Sequence, residues 1–327
     1  MSTHKTVAVA GSTGFVGREV VRRLLADGYA VRALARDRSK AGEVLPAADQ
    51  RVEIVSGDAT DPACAADLLR GCEACINLIG IIRETPGVSF ERAHVRTVQV
   101  LAFAAREARC RRFLQMSALG VGHDGIGEYQ RSKWNGEQVV RSSGIPWTIF
   151  RPGLIHGPGG AFMQLAASWA SGESAPWFFL PYFSRRVPDA VCPLGTAPEV
   201  DPVVAPVAVE DVARAFSKAI GVSEAIGEIY NLVGPETLAW PDLLRLVRDS
   251  IPDANHGLVP WGIPGDMAAV AARVAGAIGL GWAVPFDEGM ARMGMEDSTA
   301  SLDKARLDLD FDPRPFSSAL ALYASRL

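Results

Sequence analysis

The chain has no long hydrophobic run, no excess of basic charge and few cysteines, and each shortage removes a class of function. Its longest apolar stretch, 267–282, is broken by glycines and carries Arg273, which falls short of the roughly 18 clean residues of a membrane span. The first apolar run, 7–10, is too short for a signal-peptide core and leads into a glycine turn, so the expected location is the cytoplasm. Lys and Arg number 33 against 37 Asp and Glu, a net charge of −4. No nucleic-acid partner is expected from that balance, because phosphate tracking needs a basic excess.

The five cysteines (Cys64, Cys72, Cys75, Cys110, Cys192) are odd in number and scattered, which argues against a disulfide framework and for a reducing compartment. Cys72 and Cys75 have the CxxC spacing of redox and metal sites. No second pair or histidine cluster follows, however, and Cys75 opens the apolar run Cys75-Ile76-Asn77-Leu78-Ile79. Buried packing is the expected role. His94, His123 and His156 stand apart from one another and read as surface or packing residues, so no metal site is expected.

What remains is a composition of 48% hydrophobic and 21% charged residues, that of a globular protein. The first half alternates apolar runs at 5–10, 29–35, 51–56, 75–79, 112–116 and 147–150 with helical patterns at 15–27, 90–108 and 128–142. Asp61-Pro62 reads as an N-cap and first helical residue, closed by Gly71. This rhythm predicts an α/β fold, a Rossmann-type doubly wound parallel sheet covered on both faces, with a smaller and mainly helical cap. The expected domains are 1–155, rejoined by 203–235, for nucleotide binding, and 156–202 with 236–327 for substrate. The apolar helix at 264–280 reads as buried in the cap, with an interfacial membrane contact as the alternative.

Gly11-Ser12-Thr13-Gly14-Phe15-Val16-Gly17 has glycines spaced GxxGxxG between a strand and a helix. Such a turn brings backbone amides and a helix N-terminus to a pyrophosphate. The second strand ends at Ala35-Arg36-Asp37-Arg38. Arginine there pairs with a 2′-phosphate, whereas an acid would take a ribose hydroxyl. Arg36, supported by Arg38, favours NADP(H) over NAD(H); Asp37 is the rival, unless it caps the next helix. Asp58 and Ala59 follow the third strand, and Leu78, Ile79 and Gly80 follow the fourth, at the edge where such sheets bind ligands.

Tyr129 and Lys133 are four apart on a predicted helix and so face the same way. An ammonium beside a phenol favours phenolate and moves it toward useful acid–base chemistry. Ser117 closes the fifth strand and is placed to bond a substrate oxygen.

With these residues in view, the chain resembles the short-chain dehydrogenase/reductase superfamily, in its extended and atypical branches. Ile76-Asn77-Leu78-Ile79-Gly80, Ser117-Ala118-Leu119-Gly120, Tyr129-Gln130-Arg131-Ser132-Lys133 and Val209-Glu210-Asp211-Val212 narrow the resemblance to bacterial relatives of the dehydrogenase-like accessory subunit of respiratory complex I. The resemblance implies that Tyr129 is the general acid/base, that Lys133 binds the nicotinamide ribose, and that Ser117 orients substrate. It also places Pro152, Gly153, Leu154 and Ile155 beside the nicotinamide. The expected function is an NADP(H)-dependent oxidoreductase acting on a carbonyl or hydroxyl of a small apolar molecule, such as a quinone, isoprenoid or aromatic ketone. The aromatics Trp169, Trp177, Phe178 and Phe179, with Met163, would line such a substrate or form the cap's own core. The alternatives are a non-catalytic NADPH-binding accessory or sensor protein, such as a subunit of a membrane complex, and a nucleotide-sugar epimerase or dehydratase.

Overall fold

Strands with apolar residues on both faces need cover on both faces, and the first half of the chain supplies it. A computed structural model describes residues 4–187, 198–277 and 286–327. Cys192 and the end of the 264–280 pattern lie outside the described residues. The chain divides into two compact units, the first holding the described residues up to Pro152 together with Val209–Leu232 and Ser301–Asp312.

The first unit is built on seven strands: β1 (Thr6–Ala10), β2 (Ala30–Ala35), β3 (Val52–Ser56), β4 (Ala74–Asn77), β5 (Arg112–Met116), β6 (Trp147–Pro152) and β7 (Glu228–Leu232). Their order is β7-β6-β5-β4-β1-β2-β3, and every pairing is parallel. The direction of strand addition reverses between β1 and β4, the place where ligands of such sheets bind. The helices are α1 (Phe15–Ala26), α2 (Arg38–Val44), α3 (Pro62–Leu69), α4 (Thr97–Glu107), α5 (Glu128–Ser142), α6 (Val209–Ala219) and α7 (Asp303–Leu309). The face expected for α1, with Val16, Val20, Val21, Leu24 and Leu25, is buried. Asp61 caps α3 by accepting from the Ala63 amide at 3.0 Å, with Pro62 in the first turn. Cys72 and Cys75 are free and buried.

Three expectations change. The single helix at 90–108 is instead a π-helical turn, Glu91–Arg96, followed by α4. The Thr97 amide and hydroxyl both bond the Arg92 carbonyl, which widens the turn by one residue. Next, β4 stops at Asn77 rather than at residue 79, because the Asn77 side chain accepts the Ile79 amide at 3.1 Å and draws the backbone out of the ladder. Finally, 203–208 does not rejoin the large sheet. Val203–Val204 pairs with Leu238–Ala239, and Val207–Ala208 pairs with Ile155–His156, all within the second unit. Only Val209–Leu232 returns, together with Ser301–Asp312, a segment expected in the cap.

The second unit has its own core, including Met163, Leu180, Leu243, Leu244, Phe316 and Leu320. Strands Leu180–Arg186 and Pro260–Pro264 run parallel, and the helix Gly265–Ala277 follows. That helix is buried on one side only: Ala268 and Ala269 are inside, whereas Met267, Val270 and Val274 are exposed. Trp169 packs against the core, while Trp177 and Phe178 are exposed. Among the described residues no helix is long and apolar enough to cross a membrane.

Candidate active site

The turn after β1 forms because only glycine fits two of its positions. Gly11 has φ +83°, a left-handed conformation that a side chain would strain. A Cβ on Gly17 would overlap the Gly11 carbonyl oxygen, so a glycine there lets α1 close onto the strand. The α1 N-terminus, with Gly14 as its cap and no capping side chain, is left with free amides and the positive end of its dipole.

A groove of about 310 Å³ opens there, lined by Gly11, Thr13 and Gly14 from the turn and by Arg36 after β2. Asp58 and Ala59 line it after β3, and Leu78, Ile79 and Gly80 after β4. All of these were expected cofactor residues. The larger hollow, about 740 Å³ and lined by helical residues such as Phe103 and by the ends of α3 and α4, takes no residue from a strand. It is not where the fold gathers its chemistry.

Other expected contacts point elsewhere. Ser12 is buried, its hydroxyl donating to the Leu34 carbonyl at 2.9 Å, so it braces the turn. Val16 and Gly17 are buried in the packing of α1, and Phe15, half-buried, opens that helix. Arg38 donates to the Ile54 carbonyl at 3.1 Å. Asp37 caps α2, accepting from the Ser39 and Lys40 amides. Arg36 is exposed on the groove and has no hydrogen-bond or ion-pair partner among the described residues.

Asp58 holds its carboxylate between Thr60, which donates its amide at 2.8 Å and its hydroxyl at 2.6 Å, and Arg92 at 2.9 Å. The Thr60 bonds, with Arg92, keep its pKa below the usual carboxylate range. Arg92 also lines the groove. No local pattern marks it, because its partner lies 34 residues away in sequence.

At the far end, Lys133 rises from α5 and is buried. Its Nζ donates to the Met116 carbonyl at 3.3 Å, and it reaches Gly80 so closely that a Cβ there would lie 2.7 Å from it. Burial lowers its pKa to about 8. Tyr129, one turn earlier, lies edge to face with His94 and with Phe90. Its phenol is pushed up to about 12 by burial, not brought down by Lys133 as expected, because desolvation penalises the phenolate.

Ser117 departs from expectation as well. It is buried, and its hydroxyl donates to Glu137 at 2.5 Å. Glu137 is in turn clamped by Arg151 through bonds of 2.8 and 2.6 Å. The serine therefore faces a buried ion pair, one helical turn beyond Lys133, and its proton is committed. Sequence reading missed Glu137, although its i+4 spacing from Lys133 was a usable signal.

Of the segment 152–155, Pro152 closes β6 and its carbonyl accepts the Leu119 amide. Gly153, Leu154 and Ile155 belong to the second unit. His156 is buried there, bonded to the Tyr323 hydroxyl at 2.9 Å, with burial lowering its pKa to about 4. His123 is exposed beside Asp124. Among the described residues no His, Cys, Asp and Glu cluster suits a metal ion.

Residues 11–164 match a family described as NAD(P)H-binding. A ceramide reductase from Caulobacter vibrioides is 36% identical over 166 residues, covering 49% of this chain and 51% of that protein. The mitochondrial 40 kDa subunit of NADH-ubiquinone oxidoreductase from Neurospora crassa is 26% identical, over 81% of this chain and 65% of the subunit. The match thus spans about half to two thirds of these relatives' lengths. The fold is shared with UDP-glucose 4-epimerase from Thermotoga maritima, at TM-score 0.71 and 16% identity, covering 98% of this chain and 97% of that one.

Proposed function

We propose that the chain, whose residues 11–164 match a family described as NAD(P)H-binding, is an NADP(H)-dependent oxidoreductase. It reduces a carbonyl, or oxidises the matching hydroxyl, on a small apolar molecule. The observation that carries this reading is the place of Lys133 Nζ, against Gly80 at the end of a groove that begins at the α1 N-terminus. One groove therefore offers amides for a pyrophosphate at one end and an ammonium for a ribose at the other.

When bound, the nicotinamide supplies or accepts the hydride. The chain's own part is to hold and move protons. With a phenol pKa of about 12, Tyr129 is protonated at neutral pH and suited to donate to a forming alkoxide. Lys133 would hold the ribose hydroxyls of the bound cofactor through its ammonium. Ser117 takes no proton-donating part, because its hydrogen is committed to Glu137.

NADP(H) is favoured over NAD(H) because Arg36 is exposed and free, while Asp37 is occupied as a helix cap. The ceramide reductase among the relatives supports a lipid-like carbonyl, apolar as quinones, isoprenoids and aromatic ketones are. The exposed stripe Met267, Val270 and Val274 supports peripheral contact with the membrane that would store such a substrate.

A second reading, an NADPH-binding protein without turnover, is favoured by the committed Ser117 hydroxyl and by the complex I subunit among the relatives. NADPH consumption against long-chain ketones, quinones and aromatic ketones separates the two. Turnover that Tyr129→Phe removes establishes the oxidoreductase; tight binding with no turnover on any of the three classes favours the second reading.

A further inference from the structure

His94 lies in the π-helical turn Glu91–Arg96, only 2% exposed, and both of its ring nitrogens are bonded. Nε2 is 3.0 Å from the Ile81 amide nitrogen. An amide only donates, so Nε2 is the unprotonated nitrogen. Nδ1 is 2.8 Å from Ser132 Oγ, whose own proton goes to the Tyr129 carbonyl oxygen at 2.8 Å. The hydroxyl is therefore the acceptor and Nδ1 carries the hydrogen. One neutral tautomer satisfies all three bonds. Burial, with Lys133 nearby, agrees with that state by holding the ring's pKa at about 3.

The two ends of this bonded chain belong to different parts of the site. Ile81 directly follows Leu78, Ile79 and Gly80 on the groove wall. Ser132 sits between Tyr129 and Lys133 on α5. The ring itself stacks on Phe90 and meets Tyr129 edge to face, each at 5.5 Å between centroids. π-Helical turns recur at functional sites, and this one carries His94 to the meeting point of β4 and α5.

We propose that His94 is a positioning residue, a neutral strut that sets the spacing between the cofactor groove at the end of β4 and the Tyr129–Lys133 turn. Its consequence for rate rests on the oxidoreductase reading; the strut itself does not.

The test uses the full chain with ¹⁵N-labelled histidine and three variants. His94→Phe keeps a ring and loses both bonds. His94→Asn keeps a donor for Ser132, and His94→Gln keeps an acceptor that reaches Ile81. Expected for His94→Phe is a loss of about 100-fold in kcat with KM and NADPH affinity within about threefold, the size of effect that a misplacement of about 1 Å produces. The Asn and Gln variants each recover part of the rate. In the wild type the His94 ring shows a protonated Nδ1 and a bare Nε2. A protonated Nε2, or a His94→Phe enzyme with wild-type kcat, overturns the proposal. Should the wild type consume no NADPH, amide hydrogen exchange reads the strut instead. Faster exchange in His94→Phe at both Ile79 and Lys133 upholds it while the oxidoreductase reading fails; unchanged exchange at either overturns it.

Discussion

The two ends of the groove are built in opposite ways. At the nucleotide end Thr13, Gly14 and Arg36 are exposed, and the donors face open space. At the Tyr129 end Ser117, His94 and Glu137 are buried, and each is bonded to another residue of the chain. Free donors gain their partners only when a charged ligand arrives, which suits affinity and selectivity. Groups that are desolvated and fixed beforehand need no rearrangement during reaction, which suits chemistry. On the proposed reading, the difference teaches that one Rossmann edge divides its work: the backbone turn would hold the cofactor, and the α5 face would prepare the proton transfer.

If that division is right, substitutions at the two ends should separate turnover from binding. Tyr129→Phe should lower turnover by about 10³-fold, in the range of a lost general acid, while NADPH affinity measured by fluorescence titration stays put. A parallel loss of affinity would merge the two ends. Glu137→Gln leaves the Arg151 guanidinium without its counter-charge beside a fully buried side chain. It should cost about 3 kcal/mol of stability, read as a lower midpoint in urea, whereas a nearly unchanged midpoint would show that the buried cluster is not a fixed frame. Arg36→Ala should weaken NADPH about tenfold, the scale of one lost charge-assisted bond, and leave NADH unaffected. Equal weakening of both cofactors would remove Arg36 from the 2′-phosphate.

A further effect is in pH. Lys133 titrates at about 8 in the folded chain against a usual 10.5. Reduction should therefore slow as pH rises through about 8 and the ammonium is lost. Stability should move the other way: between 8 and 10.5 the unfolded chain binds more protons, so folding becomes more favourable as pH rises. Lys133→Met should flatten both trends, checked by rate profiles and by denaturation over the same range.

Much of the nucleotide end was legible because it is local. The GxxGxxG turn, the strand before it, the helix after it and the Asp61-Pro62 start of α3 are all set by neighbouring residues. The other end was only half legible. Four-residue spacing put Tyr129 and Lys133 on one face of α5, but sequence proximity could not tell that Ser117 turns inward to Glu137. His94 bonds Ser132 across 38 positions and Arg92 bonds Asp58 across 34, distances over which periodicity carries no signal. The π-helical turn was invisible as well, since a single extra residue in a helix leaves the apolar pattern nearly intact. In the cap the Met267, Val270 and Val274 stripe imitated a core face, because the pattern reports hydrophobicity and not what covers it.

The most direct test of the account is calorimetric titration of the purified chain with NADPH and with NADH. The account predicts saturable binding of NADPH, with NADH weaker by about tenfold, the worth of the Arg36 contact. Failure of both cofactors to bind would contradict it, because the open groove from Gly11 to Gly80 would then have some other occupant.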